Sequence, residues 1–500
     1  MSDDCRVRLK SAYDRMGIHH EKTAEGASKR CCRRNERKGK EDMAKMIKSL
    51  KMRAMYVLHF ALVTAVMLAV WFTKYAPAIE LADVRTVNIA VCACYIIVSV
   101  FLYRTYNAYK VGMYRIGEAF YAQSLANLFA NAITYVFACI IQMKLLNVLP
   151  ALLAFAIQSV ISGFWCLAAN TLYFSLHKPR KTFVIYKDDA DLGKIGEIVH
   201  FEKRFEIDGK IQNPQDIFEI LPLLDGYQAV VVSGIEATLR NGIVKACIDK
   251  DIDCYFIPHT GDVIISGAKH IQSFSVPIMR ARRAVLRPEY AFAKRMLDIL
   301  LAALALVVAS PFMAVTAIAI KLYDHGPALY KQVRLTKDGR EFEILKFRSM
   351  RVDAEKDGVA RLAAEHDNRI TPVGKVIRAI RFDELPQIFN ILKGDMSIVG
   401  PRPERPEIAA QYEQEMPAFS LRLQVKAGLT GMAQVYGKYN TEPRDKLKMD
   451  LMYINDMSLM QDLKLIFATV RILFMKDSTE GVQQGQVTAS KQELDSDKSA

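Results

Sequence analysis

No cysteine occurs after residue 254, and no CxxC motif is followed by a second such pair, although the chain has nine cysteines. That scatter argues against a zinc site or a disulfide framework and fits small buried thiols in a reducing compartment. A signal peptide is also missing. Residues 1–50 are polar and basic, including Lys29-Arg30-Cys31-Cys32-Arg33-Arg34, and no apolar run begins before residue 55, so secretion is not expected. No glycine-rich loop follows the first strand-like run. Thr182-Phe183-Val184-Ile185-Tyr186 opens into Lys187-Asp188-Asp189-Ala190-Asp191, which argues against a dinucleotide site. Acidic residues are in deficit, 54 against 68 basic, leaving a formal charge of +14. Such a balance suits nucleic acid or an anionic membrane face, and the apolar runs of the first third favour the membrane. The basic tail then reads as a cytoplasmic, lipid-facing or disordered arm, with no nucleic-acid partner.

Four apolar runs, roughly 54–73, 87–103, 119–143 and 145–176, approach the ~20 residues that a spanning helix needs. A basic tail precedes them, Arg104, Lys110 and Arg115 lie in the second loop, and Lys178-Pro179-Arg180-Lys181 follows. This distribution places both ends of the block in the cytoplasm. Beyond it, Thr182–Tyr186, Ala229–Ser233 and Cys254–Pro258 read as strands around a helix at 235–248, a small Rossmann-like α/β unit. Asp249-Lys250-Asp251 and Asp251-Ile252-Asp253 match the short acidic pattern of nucleotide-sugar metal sites, with a solvated turn as the plainer reading. A fifth run, Leu297 to Ile320, has Ser310-Pro311 at its middle and basic residues on both flanks. Proline removes a backbone donor and kinks a helix, and serine can satisfy the freed carbonyl. The expectation is a helix that enters one leaflet, bends at Ser310-Pro311 and returns.

The segment 325–476 is a mixed α/β region dense in short motifs. Arg381-Phe382-Asp383-Glu384-Leu385-Pro386-Gln387 sets two carboxylates among arginines, and Val399-Gly400-Pro401-Arg402-Pro403-Glu404 adds a rigid cationic turn. Attack on phosphorus needs a positioned nucleophile, cations and usually magnesium. Asp383 and Glu384 are candidates for nucleophile and metal ligand, although side chains at adjacent helical positions diverge by about 100° and would not play equal parts. Asp383 reads equally well as the N-cap of a helix whose first turn contains Pro386. Lys346, Arg348, Arg378 and Arg381 form further basic clusters suited to phosphate oxygens.

Taken together, residues from about 290 to 476 resemble the bacterial sugar transferase family, the monotopic polyprenyl-phosphate glycosyl-1-phosphate transferases. The matching stretches include Lys294-Arg295 with Asp298, Ser310-Pro311, Gly326-Pro327 with Gln332 and Arg334, Lys346 to Met350, and Asp367 to Gly374. They continue through Asp383 to Gln387, Asn390, Lys393 to Ser397, Val399 to Glu404, Gly428 to Gly431, Asp450, Tyr453 and Asp462. The resemblance to the long form of the family implies a membrane protein with five segments. They are a basic tail (1–50), four transmembrane helices (51–178), a Rossmann-like domain (179–280), a catalytic domain (281–476) anchored by a re-entrant helix (295–322), and a disordered tail (477–500). It implies transfer of sugar-1-phosphate from a UDP-sugar to undecaprenyl phosphate with release of UMP. Asp383 would form a covalent phosphosugar intermediate, and Glu384 would assist, both as ligands of Mg2+. Pro401, Arg402 and Pro403 would hold the uridine side, and Lys346, Arg348, Arg378 and Arg381 the phosphates. The implied setting is the cytoplasmic face of the bacterial inner membrane at the first membrane step of exopolysaccharide, capsule or O-antigen synthesis, with a homodimer left open. Two alternatives remain: a glycosyltransferase releasing UDP, and a non-catalytic assembly scaffold. One departure is Ala427, where the family usually has proline before Gly-Leu-Thr-Gly; it should loosen that turn.

Overall fold

The computed structural model describes residues 21–78, 84–109, 111–112, 116–201, 204–273, 276–351, 369–437 and 441–473. The first twenty residues, Asp367 and Asn368 of the Asp-Asn-Arg motif, and the tail 477–500 lie outside them. Two compact units result. One comprises the chain up to Val184 with 188–230 and 241–253; the other comprises 185–187, 231–240 and the chain from Cys254 onward.

The first unit begins with four long helices, α1 (Glu21–Val70), α2 (Val84–Thr105), α3 (Ile116–Gln142) and α4 (Leu149–Leu176). Each contains a stretch long and apolar enough to cross a membrane, that of the first running Met46–Tyr75. Residues 21–50 are therefore helical and continuous with the first apolar run. The interior of this block carries a polar ladder. Gln123, Asn127 and Asn131 recur every four residues on one buried face of α3. Asn131 Nδ2 donates to Gln158 Oε1 at 2.8 Å, and Gln158 Nε2 donates to the Val63 carbonyl at 2.9 Å and to the Tyr95 hydroxyl at 3.1 Å. Tyr103 donates to Asn127 Oδ1 at 2.9 Å, and His59 Nε2 lies 3.3 Å from Ser162 Oγ. Lipid tails offer no hydrogen-bond partner, so these amides must find each other.

Strands β1 (Arg180–Tyr186), β2 (Phe205–Gln212), β3 (Ala229–Ser233) and β4 (Asp253–Phe256) form one sheet in the order β2-β1-β3-β4, with helices α5 (Asp189–Phe201) and α6 (Ala237–Asp249) between them. The acidic run after β1 starts a helix, because Asp188 Oδ1 accepts the Asp191 N–H at 2.9 Å. The Asp249–Asp253 pattern is a turn, with Asp251 left-handed (φ 58) and Asp253 ion-paired to Arg180. Helix α7 (Thr260–Ser266) and the antiparallel pair β5 (Lys269–Ser273) and β6 (Val276–Arg280) lead into the fifth long helix.

That helix, α8 (Pro288–Asp324), is continuous through Pro311. Pro311 has no N–H to offer the carbonyl of Val307 four residues earlier. Ser310 Oγ supplies the missing donor, 2.9 Å from that carbonyl. Phe292, Met296, Leu300, Leu304, Val308 and Val315 are exposed at helical spacing along one side. On the other side Ala302, with Leu306 and Ala309, packs into a core of Phe342, Ile344, Ile388, Ile391 and Met396. Ile320, with Met313 and Ala317, packs into a second cluster with Phe347 and Ile377. The root of the helix is clasped by polar groups. Lys294 reaches the buried Asp462 at 2.9 Å, and Arg295 donates to the Ile391 and Leu392 carbonyls at 2.7 and 2.8 Å. Asp298 accepts from Ser397 Oγ at 2.8 Å and from the Ile398 N–H at 3.0 Å.

The remaining elements are β7 (Leu329–Leu335), β8 (Glu341–Phe347), α9 (Pro372–Ala379), α10 (Gln387–Lys393), β9 (Ser397–Val399), α11 (Pro406–Glu415), β10 (Gly428–Thr430), α12 (Met432–Tyr436), α13 (Pro443–Asn455) and α14 (Leu459–Leu473). β7 and β8 are an antiparallel hairpin, and β9 and β10 a short parallel pair. Gly400 and Gly428 meet backbone to backbone beside that pair, where a Cβ on either would collide.

In the membrane block, Gln158→Leu removes an amide that links three helices. It should destabilise the block by about 1–2 kcal/mol, seen as a lower midpoint in thermal unfolding in detergent. An unchanged midpoint would mean that the ladder contributes nothing.

Candidate active site

β8 follows a period of two, so Phe342, Ile344 and Lys346 share one face. The first two are buried in the core, and the third puts an ammonium at the end of an apolar row. Lys346 Nζ lies 3.6 Å from Glu384 Oε1. The free edge of β8 is closed by a side chain: Asn390 of α10 accepts the Leu345 N–H at 2.9 Å and donates to the Glu343 carbonyl at 2.8 Å. This places α10, and the residues just before it, against Lys346.

Thr371 caps α9 by accepting the Gly374 N–H at 2.9 Å. The chain then turns sharply at Arg381, whose φ of 56° is left-handed. A non-glycine residue there costs roughly 1–2 kcal/mol. Phe382–Glu384 forms a single 3-10 turn. Asp383 is therefore not the N-cap of α10; that position is Pro386, with no side-chain cap. Leu385 and Pro386 already have helical backbone angles. The local pattern that suggested a cap instead presents both carboxylates on a tight turn.

The two acids are in different electrostatic states. Burial pushes Asp383 above its ordinary range, and the Glu384 charge adds to this against Lys346, Arg378 and Arg402. Burial also pushes Glu384 upward, but Arg402, Lys346 and Arg381 outweigh it and hold the group at about 2. Arg402 Nη2 donates to Glu384 Oε1 at 3.0 Å, and Glu384 in turn raises the guanidinium. Burial lowers Lys346, opposed by Glu384. Among the described residues, no hydrogen bond or salt bridge engages the Asp383 carboxylate. The pair has separated into a fixed anion and a more basic, uncommitted one, the arrangement that distinguishes catalytic roles.

The structure thus brings together Lys346, Asp383, Glu384 and Arg402, with Arg378 and Arg381 acting through charge. The contact seen for Arg348 is a different one: its buried guanidinium lies so close over Gly326 that no Cβ fits there. Pro401 and Pro403 are buried on either side of exposed Arg402. Four successive carbonyls of this segment are each held by a different donor. Pro401 accepts from the Gly428 N–H at 2.9 Å, Arg402 from Arg422 at 2.8 Å, Pro403 from Arg334 at 3.2 Å, and Glu404 from the Leu335 N–H at 2.9 Å. A concavity beside them is lined by Arg334, Lys346, Gln387, Arg402 and Pro403. Arg334 and Arg422 were not among the site residues expected from sequence: Arg334 stood in a matching stretch without an assigned role, and the partners of both are distant in the chain. Burial pulls the Arg334 guanidinium down to about 10, opposed by Glu404.

Among the described residues no three His, Cys, Asp or Glu side chains gather as a metal cage. Asp383 and Glu384 offer two hard oxygen donors, which is what Mg2+ commonly takes from protein when phosphates supply the rest. The Ala427 departure also has a physical use. Its N–H donates to Thr336 Oγ1 at 3.1 Å, a bond that proline could not make.

Glu384 titrates at about 2, against an ordinary 4.5. A depressed carboxylate contributes stability that is complete above the unfolded value and is lost as pH falls through the folded one. Arg402→Ala raises the folded value, reducing both that contribution and its acid loss. Melting points of the two proteins should converge as pH falls from about 4.5 to about 2; parallel curves would show that Arg402 does not set the Glu384 charge.

The bacterial sugar transferase family model matches residues 289–476. Similar proteins include a UDP-N-acetylgalactosamine-undecaprenyl-phosphate N-acetylgalactosaminephosphotransferase of Aeromonas hydrophila, 46% identical over 37% of this chain and 44% of the relative. A UDP-glucose:undecaprenyl-phosphate glucose-1-phosphate transferase of Escherichia coli (strain K12) is 34% identical over 52% of this chain and 54% of the relative. A transferase of the same description from Caulobacter vibrioides is 42% identical over 37% of this chain and 71% of the relative. The chain spans about half the length of the first two relatives and most of the third. With the family's match ending at 476 and covering every residue of the charged cluster, the chain belongs to the bacterial sugar transferase family.

Proposed function

We propose that this chain transfers a sugar-1-phosphate from a UDP-sugar to undecaprenyl phosphate and releases UMP, working at the cytoplasmic face of the bacterial inner membrane. The observation that carries this reading is the split carboxylate pair beside the membrane helix. An Asp383 oxygen attacks the β-phosphorus, one P–O bond forms, and the bond to the bridging oxygen breaks so that UMP departs with that oxygen. A phosphate oxygen of the lipid then attacks the same phosphorus and frees the Asp383 carboxylate. The raised basicity of Asp383 strengthens it as a nucleophile. Glu384, held as an anion, fixes Arg402 and Lys346 beside the diphosphate, and Arg334 adds a further cation to the same concavity. Mg2+ held by Asp383 and Glu384 would neutralise charge on the phosphates. The names of the relatives in Aeromonas hydrophila and Escherichia coli support the donor and acceptor classes.

The membrane geometry supports a re-entrant rather than a spanning α8. Phe382, next to Asp383, meets Phe312, next to Pro311, with ring centroids 6.1 Å apart. Leu385 belongs to the apolar clusters of both halves of the helix. A helix of 37 residues is about 55 Å long, while the hydrocarbon core is about 30 Å thick. If it spanned, contact at its middle would put the site's carboxylates and cations near the bilayer centre, at a cost of at least about 2.5–3.5 kcal/mol per charge on insertion scales. A helix that bends at Ser310-Pro311 and returns goes no deeper than one leaflet, which keeps the charged cluster on the cytoplasmic side of the bilayer centre, with the bare apolar side of the helix in lipid.

Membrane fractions given a panel of UDP-sugars should release UMP and form a lipid-linked sugar diphosphate, and release of UDP would sink this reading. Asp383→Asn should lower turnover by at least about 10³-fold, and a variant that keeps full activity would remove Asp383 from the chemistry. Pro327→Cys, in a background without other reactive thiols, should be labelled only from the cytoplasmic side; labelling from outside would refute the re-entrant helix.

A further inference from the structure

Resting on that reading of the site, we propose that Arg422, locked by Asp450, is a positioning residue that aims Arg402 at Glu384 and the donor. Arg402 sits between two prolines, neither of which has an N–H, and each of which fixes its own φ. The carbonyls are therefore the main backbone handles by which the rest of the fold can orient the segment. The handle nearest the working guanidinium is the carbonyl of Arg402 itself, and a side chain holds it: Arg422 Nη2, at 2.8 Å.

Arg422 is itself immobilised. Its Nε and Nη2 lie 3.0 and 2.7 Å from Asp450 Oδ2, and its guanidinium carbon stands 4.9 Å over the Phe419 ring. Both members of the ion pair are buried, at 7% and 1% side-chain exposure. Asp450 is carried by α13, whose Leu447, Leu451 and Ile454 sit in the surrounding core. A buried ion pair is seldom the most stable way to fill such a space, since apolar residues of equal volume often serve as well or better. Its distinguishing property here is direction. The planar fork grips the carboxylate and has an N–H left for one carbonyl. That carbonyl belongs to the residue whose side chain reaches Glu384 on the opposite side of the segment. The positioning runs from α13 through Arg422 to the Arg402 backbone, and from there to the Arg402 guanidinium.

A double-mutant cycle separates this role from simple support of the fold. Arg422→Met fills the space without an N–H donor, and Asp450→Asn, nearly isosteric, frees Arg422 to turn. Each is made in the full chain with Arg402 present and with Arg402→Ala, and UMP release is followed over a range of UDP-sugar concentration. With Arg402 present, each variant should raise KM for the UDP-sugar about tenfold while kcat changes less. With Arg402→Ala in place, neither should change kcat/KM more than about twofold, because the side chain being aimed is gone. Equal losses in both backgrounds would overturn the proposal and leave Arg422 a structural residue.

A second readout needs no substrate. An experimental structure of the Arg422→Met protein reports whether Arg402 Nη2 still stands about 3.0 Å from Glu384 Oε1. If Arg422 positions Arg402, that contact is lost while Leu447, Leu451 and Ile454 keep their places in the core, and an unmoved Arg402 guanidinium refutes the proposal. This measurement decides the matter even if no UDP-sugar is turned over, in which case the proposed reaction alone would be at fault.

Discussion

A charged side-chain cluster and an apolar helix make opposite demands on solvent, and here they touch. Phe382 links the 3-10 turn of Asp383 and Glu384 to Phe312 of α8, so the depth of that helix in lipid fixes the depth of the site. The polar clasp at the root of the helix sets this relation: Lys294 on Asp462, Arg295 on the last carbonyls of α10, and Asp298 on β9. Arg295 also complements the negative end of α10, the helix that follows the Phe382–Glu384 turn. The residues that anchor the membrane segment thus also support the elements that place Glu384 beside Lys346.

Within the site, the organising effect is unequal treatment of two neighbouring acids. Burial disfavours charge on both. Only Glu384 is compensated directly, by Arg402 at 3.0 Å and Lys346 at 3.6 Å. Asp383 feels the same cations more remotely and the Glu384 anion in addition. The cationic side is built with similar economy. Two of the four residues of the Pro-Arg-Pro-Glu segment lack an N–H, and donors from β7, β10 and the Pro417–Gln424 turn hold it by its carbonyls.

Much of this organisation was legible in the sequence because it rests on local pattern. Apolar runs gave the long helices and the first, third and fourth strands of the four-stranded sheet, and the Ser310-Pro311 pair gave a proline with a donor beside it. Asp383 was ambiguous because a cap and a site carboxylate use the same residue types; the left-handed Arg381 and the 3-10 turn after it exclude the cap, and nothing local in the sequence announces them. Strand β2, exposed at most positions, carries no apolar run to mark it. Arg334 and Arg422 escaped because their meaning lies in distant partners, Pro403 and Asp450, 69 and 28 residues away. Ala427 looked like a loss of rigidity when seen only as a missing proline. Its N–H on Thr336 shows that a departure from pattern can add a bond.

Among the described residues the β7–β8 sheet has two strands, and a bare strand edge invites pairing with another chain. Asn390 occupies part of that edge with one donor and one acceptor, as a neighbouring strand would, but a side chain cannot be extended into a ladder. The same asparagine that sets the Phe382–Glu384 turn against Lys346 therefore closes this edge of the hairpin. A chain that must expose an apolar helix before it reaches the membrane is spared a second sticky surface on this side of the hairpin.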